Sequence, residues 1–270
     1  MPDQTNLVRL TYVGHATVLV EAPGLRCLTD PFLRDRLGPL RRHGPTPDPD
    51  ALGPLDLVLI SHAHPDHFDL RSLRRLHGDP LVIVPHGLGR AAQRAVRRVR
   101  AVGHGEPVAV GGWTVTAVPA RHLRWPFEAR TNALGYLLEG PTSVYFAGDT
   151  GFYPAMSDLI GRADIALLPI GRWGPHRGPG HLDPVTAARV AALIGARFVL
   201  PIHWGTLYPQ GLHRAWRRPL DEPAIAFAAA MAIEAPESDA RVLGPGEATV
   251  IELPLHAHGR RSSSTGHDLS

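Results

Sequence analysis

The sequence predicts an α/β fold, with strands and helices mixed along one chain, and three observations point there. Short apolar runs rich in Val, Ile and Leu recur between Gly, Pro and Asp punctuation, as at Leu57 to Ile60 and Leu81 to Val84. Stretches with helical spacing open at Asp69 and at Asp183-Pro184, both with capping chemistry. Side chains able to bind metal follow several of the strand-like runs directly. With 270 residues, 44% apolar and 20% charged, the chain has room for one large domain with a substantial core.

Val8 to Val13, Thr17 to Glu21 and Leu25 to Thr29 read as strands, turned at Gly14-His15-Ala16 and Pro23-Gly24 and closed by Asp30-Pro31. The single cysteine, Cys27, falls in the third as a buried thiol, so no disulfide framework is expected. Arg34 to Pro54, rich in Pro, Gly and Arg, reads as one long loop, mobile or near function. After the strand at Leu57 to Ile60, Asp69 caps a helix with Leu70, Leu73 and Leu76 on one face. Leu81 to Val84 is another buried strand, and Arg90 to Arg100 is compatible with a helix. Pro107 to Val110 and Trp113 to Val118 flank Gly111-Gly112 as a hairpin, and Leu134 to Leu138 and Ser143 to Ala147 flank Gly140-Pro141 likewise. Tyr153 to Arg162 reads as a helix and Asp164 to Leu168 as a strand. A helix from Asp183-Pro184 to about Ile194, a strand at Arg197 to Leu200, a helix at Ala224 to Ile233 and a strand at Ala248 to Leu253 complete a domain over 1–255. The tail 256–270 has almost no apolar content and is expected to be disordered.

The chain is organised around the loop after Leu57 to Ile60. His62, His64, Asp66 and His67 stand there as His-x-His-x-Asp-His. Neutral imidazole and carboxylate suit zinc and similar divalent ions. Donors packed this tightly are reconciled by two metals, or by one metal with a strongly shaped surround. A loop leaving the carboxyl end of a strand is where α/β layers commonly place chemistry, because a rigid scaffold aims loop residues at one point.

His62-x-His64-x-Asp66-His67 resembles the signature of the metallo-β-lactamase superfamily of hydrolases. That pattern asks for a later His, a later Asp and a last His, each after a strand. His122 after Val115 to Ala120, Asp149 in Gly148-Asp149-Thr150-Gly151, and His203 in Ile202-His203-Trp204-Gly205 match it. The resemblance runs from about Leu10 to Thr206 and implies a four-layer αββα sandwich. It implies that His62, His64 and His122 hold one divalent ion, that Asp66, His67 and His203 hold a second, and that Asp149 bridges. Zinc is favoured by the ligand types, and Mn or Fe fit the same set. Such a pair shares a hydroxide that attacks a phosphorus or carbonyl centre, with Asp66 orienting it or relaying its proton. None of the seven donors is Cys, which argues against a closed structural zinc site. Asp149 stands where some β-lactam-hydrolysing relatives use Cys, which argues against that activity.

Gly14-His15-Ala16-Thr17 with Thr29-Asp30-Pro31, Gly180-His181-Leu182-Asp183-Pro184, and Ile202 to Thr206 are similar to one branch of that family. The branch holds N-acylphosphatidylethanolamine-hydrolysing phospholipase D and the L-ascorbate-6-phosphate lactonase type, and the phospholipase side matches better. The resemblance then implies a phosphodiesterase of phospholipase D type. A sugar-phosphate lactonase or other cyclic ester hydrolase is the alternative substrate class. A non-enzymatic metal-binding module is the alternative of another kind. His181 would face the open side of the metals, to bind a phosphate oxygen or protonate a leaving group, against the competing reading of an ordinary loop histidine. His15 and Asp30 are expected in supporting hydrogen bonds. Arg121, Arg124, Trp125, Trp173 and Arg177 are candidates to line the mouth, against plain surface packing.

The formal charge is +3 and the pI about 9.5, with arginines grouped at Arg90 to Arg100 and Arg214 to Arg218. They read as a solvated face rather than a nucleic-acid site. No apolar run approaches the roughly 18 residues of a membrane span, no leader-like pattern opens the chain, and no amphipathic segment suits a bilayer surface. The expected setting is cytoplasmic, with a small-molecule or lipid-like substrate.

Overall fold

The alternation read in the first strands sorts their side chains onto two faces of one sheet. The computed structural model describes residues 5–122, 131–171, 180–211 and 218–254. Strands β1 (Thr5–Gly14), β2 (Thr17–Ala22) and β3 (Leu25–Thr29) run antiparallel. Arg34 to Pro54 is not one loop: it holds the hairpin β4 (Arg36–Leu37) and β5 (Leu40–Arg42) and a short helix α1 (Pro49–Leu52). Next come β6 (Leu57–Leu59), α2 (Leu70–Leu73), β7 (Leu81–Pro85), α3 (Gly89–Ala92) and β8 (Val99–Val102), with β3, β6, β7 and β8 parallel.

Two expected helices are cut short here. Asp69 does cap α2, accepting from the Ser72 N–H at 3.0 Å, but the helix stops before Leu76. The expected helix over Arg90 to Arg100 covers only α3, and its last residues join β8. The β-branched Val99 and Val102 gain a parallel ladder with β7, Val82 opposite Val99, and that tertiary pairing outweighs a weak local helix preference.

The second half opens with β9 (Pro107–Val110), β10 (Trp113–Pro119), β11 (Leu134–Glu139) and β12 (Ser143–Phe146), the two expected hairpins in one antiparallel run. Helix α4 (Met156–Ile160) is shorter than expected and leads to β13 (Ile165–Pro169). Helix α5 (Pro184–Leu193) starts on a capping box in which the Asp183 carboxylate accepts from the Thr186 N–H at 2.9 Å. Then follow β14 (Phe198–Ile202), β15 (Leu207–Pro209), α6 (Arg218–Glu234), β16 (Asp239–Ala240) and β17 (Ala248–Pro254). The expected disordered tail, 256–270, lies outside the described residues.

Among the described residues the strands form two seven-stranded sheets, ordered β17-β1-β2-β3-β6-β7-β8 and β16-β14-β13-β12-β11-β10-β9, with β15-β5-β4 as a small third sheet. Val8, Leu10, Tyr12, Val18, Val20, Leu57 and Leu59 of the first sheet share one buried cluster with Val115, Ala117, Tyr136 and Leu138 of the second. The alternate residues Leu19, Leu28, Val58, Val82 and Val84 form a separate cluster with Leu73, Leu88 and Ala92, under α2 and α3. Ile160, Ala187, Val190 and Phe227 bring α4, α5 and α6 onto the second sheet. The layers are therefore α, β, β, α: the four-layer sandwich expected. Full burial of each Val, Leu or Ile is worth about 1.5–3 kcal/mol against exposure, so the sandwich is held mainly by its two β faces. The parallel strands of both sheets send their carboxyl ends to a shared edge, and that edge carries the site.

Candidate metal centre

Every donor expected from the sequence sits in a loop leaving a strand at that edge. Ser61 to Asp69 follow β6, His122 follows β10, Asp149 follows β12 and His203 follows β14. His64 Nδ1 lies 2.8 Å from His62 Nε2 and 3.1 Å from His122 Nε2. His67 Nε2 lies 3.2 Å from His203 Nε2, and Asp66 Oδ2 lies 3.6 Å and 4.0 Å from those two nitrogens. Asp149 Oδ2 stands between the groups, 3.2 Å from His203 Nε2, 3.4 Å from His67 Nε2 and 4.0 Å from His62 Nε2. His181 Nδ1 is 3.6 Å from the same oxygen, with its side chain 9% exposed against 2% for His62.

The carboxylate contacts, at 3.2–4.0 Å, bracket the spacing of donors around a bound cation, and the His64 contacts at 2.8 and 3.1 Å are tighter than it. Donors about 2.0–2.2 Å from a common tetrahedral centre are roughly 3.3–3.6 Å apart. His64 Nδ1 faces two ring nitrogens yet has a single lone pair or proton to offer, so it cannot satisfy both. Asp149 Oδ1 is buried and has no hydrogen-bond partner among the described residues. Buried polar atoms rarely stay unpaired, and a divalent ion answers both observations.

The charge balance agrees. Burial alone would push the His67 imidazole down, but Asp149, Asp66 and Asp30 around it hold it well above its ordinary range. Burial would likewise raise Asp66 and Asp149, yet the surrounding imidazoles hold both carboxyls well below theirs. Burial drives His62 well below, and burial with the neighbouring His203 pushes His15 down to about 3. Two buried carboxylates, Asp66 and Asp149, thus converge where positive charge is stabilised, and a metal pair fits them.

The hydrogen bonds behind the donors fix which ring nitrogen faces inward. Asp30 is fully buried; its Oδ1 accepts from the Ser61 N–H at 2.7 Å, and its Oδ2 accepts from the Ser61 hydroxyl at 2.5 Å and from His67 Nδ1 at 2.7 Å. With its hydroxyl proton spent on Asp30, Ser61 Oγ accepts from His62 Nδ1 at 2.9 Å. His122 Nδ1 donates to the Gly180 carbonyl at 3.1 Å and His203 Nδ1 to the Gly171 carbonyl at 3.2 Å. The tautomers follow from these partners: in all four rings Nε2 keeps its lone pair for the centre.

His15 and Asp30 both make the supporting hydrogen bonds expected of them, His15 Nε2 lying 2.9 Å from Asp66 Oδ2. The non-glycine residues with positive φ among the described residues are His15 (61°), Asp30 (32°) and His203 (62°). Such backbone persists only where its surroundings over-determine it. Arg121 is exposed, its N–H donating to Thr150 Oγ1 at 2.9 Å, whereas Arg124, Trp125, Trp173 and Arg177 lie outside the described residues.

The sequence reading missed Ser61, the Gly171 and Gly180 carbonyls, and Arg42. The Arg42 guanidinium is buried beside the turn at Gly14 and donates to the carbonyls of Val13 (3.2 Å), Arg34 (3.1 Å) and Phe32; burial lowers its pKa to about 10. Its only signal was its place among the arginines of the presumed loop.

An αββα sandwich with two convergent groups of His and Asp donors defines a class consistent with metal-dependent hydrolysis. The chain belongs to the beta-lactamase superfamily: the profile of the Beta-lactamase superfamily domain matches residues 25–204. It is 34% identical over 217 residues to an uncharacterised protein of Mycobacterium tuberculosis, covering 73% of this chain and 58% of that protein, little more than half its length. It is 31% identical over 242 residues to N-acyl-phosphatidylethanolamine-hydrolyzing phospholipase D 1 of Caenorhabditis elegans, covering 78% of this chain and 67% of that protein. Among solved structures, a metallo hydrolase of Ignicoccus hospitalis superposes with a TM-score of 0.66 at 24% identity, over 92% of this chain and 99% of that one. That likeness speaks for the fold alone. No helix among the described residues is long and apolar enough to cross a membrane.

Proposed function

We propose that the protein is a binuclear metal-dependent phosphodiesterase of phospholipase D type. In this reading His62, His64 and His122 hold one divalent ion, Asp66, His67 and His203 the other, and Asp149 lies between them. The observation that carries it is Asp149, whose Oδ2 is within 4.0 Å of nitrogens from both groups while its Oδ1 has no partner among the described residues. Two divalent ions, zinc by donor type, supply Lewis acidity and a water whose pKa falls to about 7. The chain supplies the rest. Asp66 would orient an attacking water and accept its proton, His181, less buried than His62, would contact a phosphate oxygen or protonate the leaving alkoxide, and the buried remainder of the site would exclude bulk water. A phosphodiester substrate is supported by the Caenorhabditis elegans relative, whose name specifies N-acyl-phosphatidylethanolamine. A cytoplasmic setting fits a chain whose single cysteine forms no disulfide.

The test is hydrolysis by purified protein before and after chelation, with products identified by mass spectrometry. The panel holds a glycerophosphodiester, an N-acylphosphatidylethanolamine and L-ascorbate-6-phosphate lactone. P–O cleavage that chelator abolishes and added zinc restores is expected; turnover of the lactone alone would transfer the site to cyclic esters. With the phosphodiester, His181→Ala should lower kcat by about 10²–10⁴-fold, the usual size of a general-acid contribution. Bound metal, measured by elemental analysis, should stay at the wild-type ratio; loss of an ion instead would make His181 a ligand.

A further inference from the structure

The turn between β1 and β2 delivers a side chain that the ligand motif does not include, although its ring nitrogen lies within 4.8 Å of donor atoms of Asp66, His67 and His203. His15 is 1% exposed and its Nε2 lies 2.9 Å from Asp66 Oδ2, the oxygen that also faces His67 Nε2 and His203 Nε2. An ionised carboxylate only accepts hydrogen bonds, so the Nε2 of His15 carries the proton. A protonated ring nitrogen has no lone pair for a cation. His15 therefore acts on Asp66 rather than beside it. Among the described residues no other group donates to the Asp66 carboxylate.

The backbone around His15 is fixed from both sides. His15 holds φ at 61°, a left-handed conformation uncommon for a residue with a Cβ, and Gly14 before it stands at 120°. The His15 N–H donates to Thr206 Oγ1 at 2.7 Å, and the His15 carbonyl accepts from the His203 N–H at 2.7 Å. The Tyr12 hydroxyl donates to the Trp204 carbonyl at 2.8 Å, and the His15 and His203 rings lie 4.0 Å apart. Two left-handed turns from opposite sheets, at His15 and His203, thus brace one another. One presents a donor nitrogen to the site and the other presents the N–H that aims Asp66.

We propose that His15 is the positioning residue of Asp66, its Nε2–H fixing Asp66 Oδ2 in the donor group formed with His67 and His203, so that this one of the two metal positions depends on the hydrogen bond. The proposal rests on reading Asp66 as a ligand.

Cobalt titration of the full chain, followed by visible absorbance and elemental analysis, tests it with two substitutions of different reach. Asparagine accepts a left-handed backbone but its amide is too short for Asp66; the glutamine amide nitrogen falls close to the place of Nε2. The wild type and His15→Gln should bind two cobalt ions with similar affinities. His15→Asn should keep one affinity and lose about 10–100-fold in the other, the usual cost of removing a partner that orients a ligand. Wild-type affinities in His15→Asn, or equal losses in the Gln and Asn variants, would overturn the proposal. Asp66→Ala run in parallel separates the two readings. If it loses one ion and His15→Asn loses none, positioning fails alone; if Asp66→Ala keeps both, the ligand reading falls and takes the proposal with it. Should His15→Asn not fold, zinc-loaded wild-type protein still decides by NMR. A slowly exchanging imidazole N–H resonance that vanishes in both His15→Gln and Asp66→Ala supports the hydrogen bond, and its absence refutes it.

Discussion

Replacing Asp66 with alanine is expected, on the proposed function, to lower phosphodiester turnover by about 10²–10⁴-fold, the range of a lost general acid or base, and to weaken one metal position at the same time. The double effect follows from geometry. Asp66 Oδ2 is 3.6 Å from His67 Nε2, 4.0 Å from His203 Nε2 and 2.9 Å from His15 Nε2, so one small carboxylate faces both the donors and their support. A residue acting only as a ligand would be rescued by saturating metal. One that also handles the proton would not, and kcat should stay depressed at any zinc concentration. Steady-state kinetics across a zinc series checks this, and full recovery of kcat would confine Asp66 to metal binding.

The largest stability effect is expected at Asp30. Its carboxylate is fully buried and satisfies the Ser61 N–H, the Ser61 hydroxyl and His67 Nδ1 together. Alanine leaves those donors buried without an acceptor, and removing one partner of a buried ionic network typically costs about 3–5 kcal/mol. At about 2–4 °C per kcal/mol for a chain of this size, Tm should fall by roughly 6–20 °C. Asparagine, close in shape, should lose less. Thermal unfolding followed by circular dichroism at saturating metal measures both, and a change below about 2 °C for the alanine variant would show that Asp30 does not hold the loop.

The donor loop was legible because its information is local: His62, His64, Asp66 and His67 are neighbours in sequence, and the strand before them is short and apolar. The hairpins at Gly111-Gly112 and Gly140-Pro141 were legible for the same reason, and Asp183-Pro184 announced α5 through cap chemistry. What failed to show depends on partners far away. β5 exists because Leu207 lies opposite Arg42, and β8 because Val99 lies opposite Val82, so neither Arg34 to Pro54 nor Arg90 to Arg100 carries its own explanation. The same holds within the site. Nothing near His15 in sequence says that its turn locks against His203, 188 positions away, or that its ring reaches Asp66.

The donors come from both halves of the sandwich: His62, His64, Asp66 and His67 leave the first sheet, while His122, Asp149 and His203 leave the second. Ions held among them would be rivets between two plates, and their affinity would become a ruler for the gap. The Tyr136 hydroxyl, reaching from β11 to the Ile60 carbonyl at 2.7 Å, is a spacer in the same joint. A substitution deep in the apolar interior, with no donor of its own, would be read out at the rim as a changed grip on metal whenever it shifts one plate against the other.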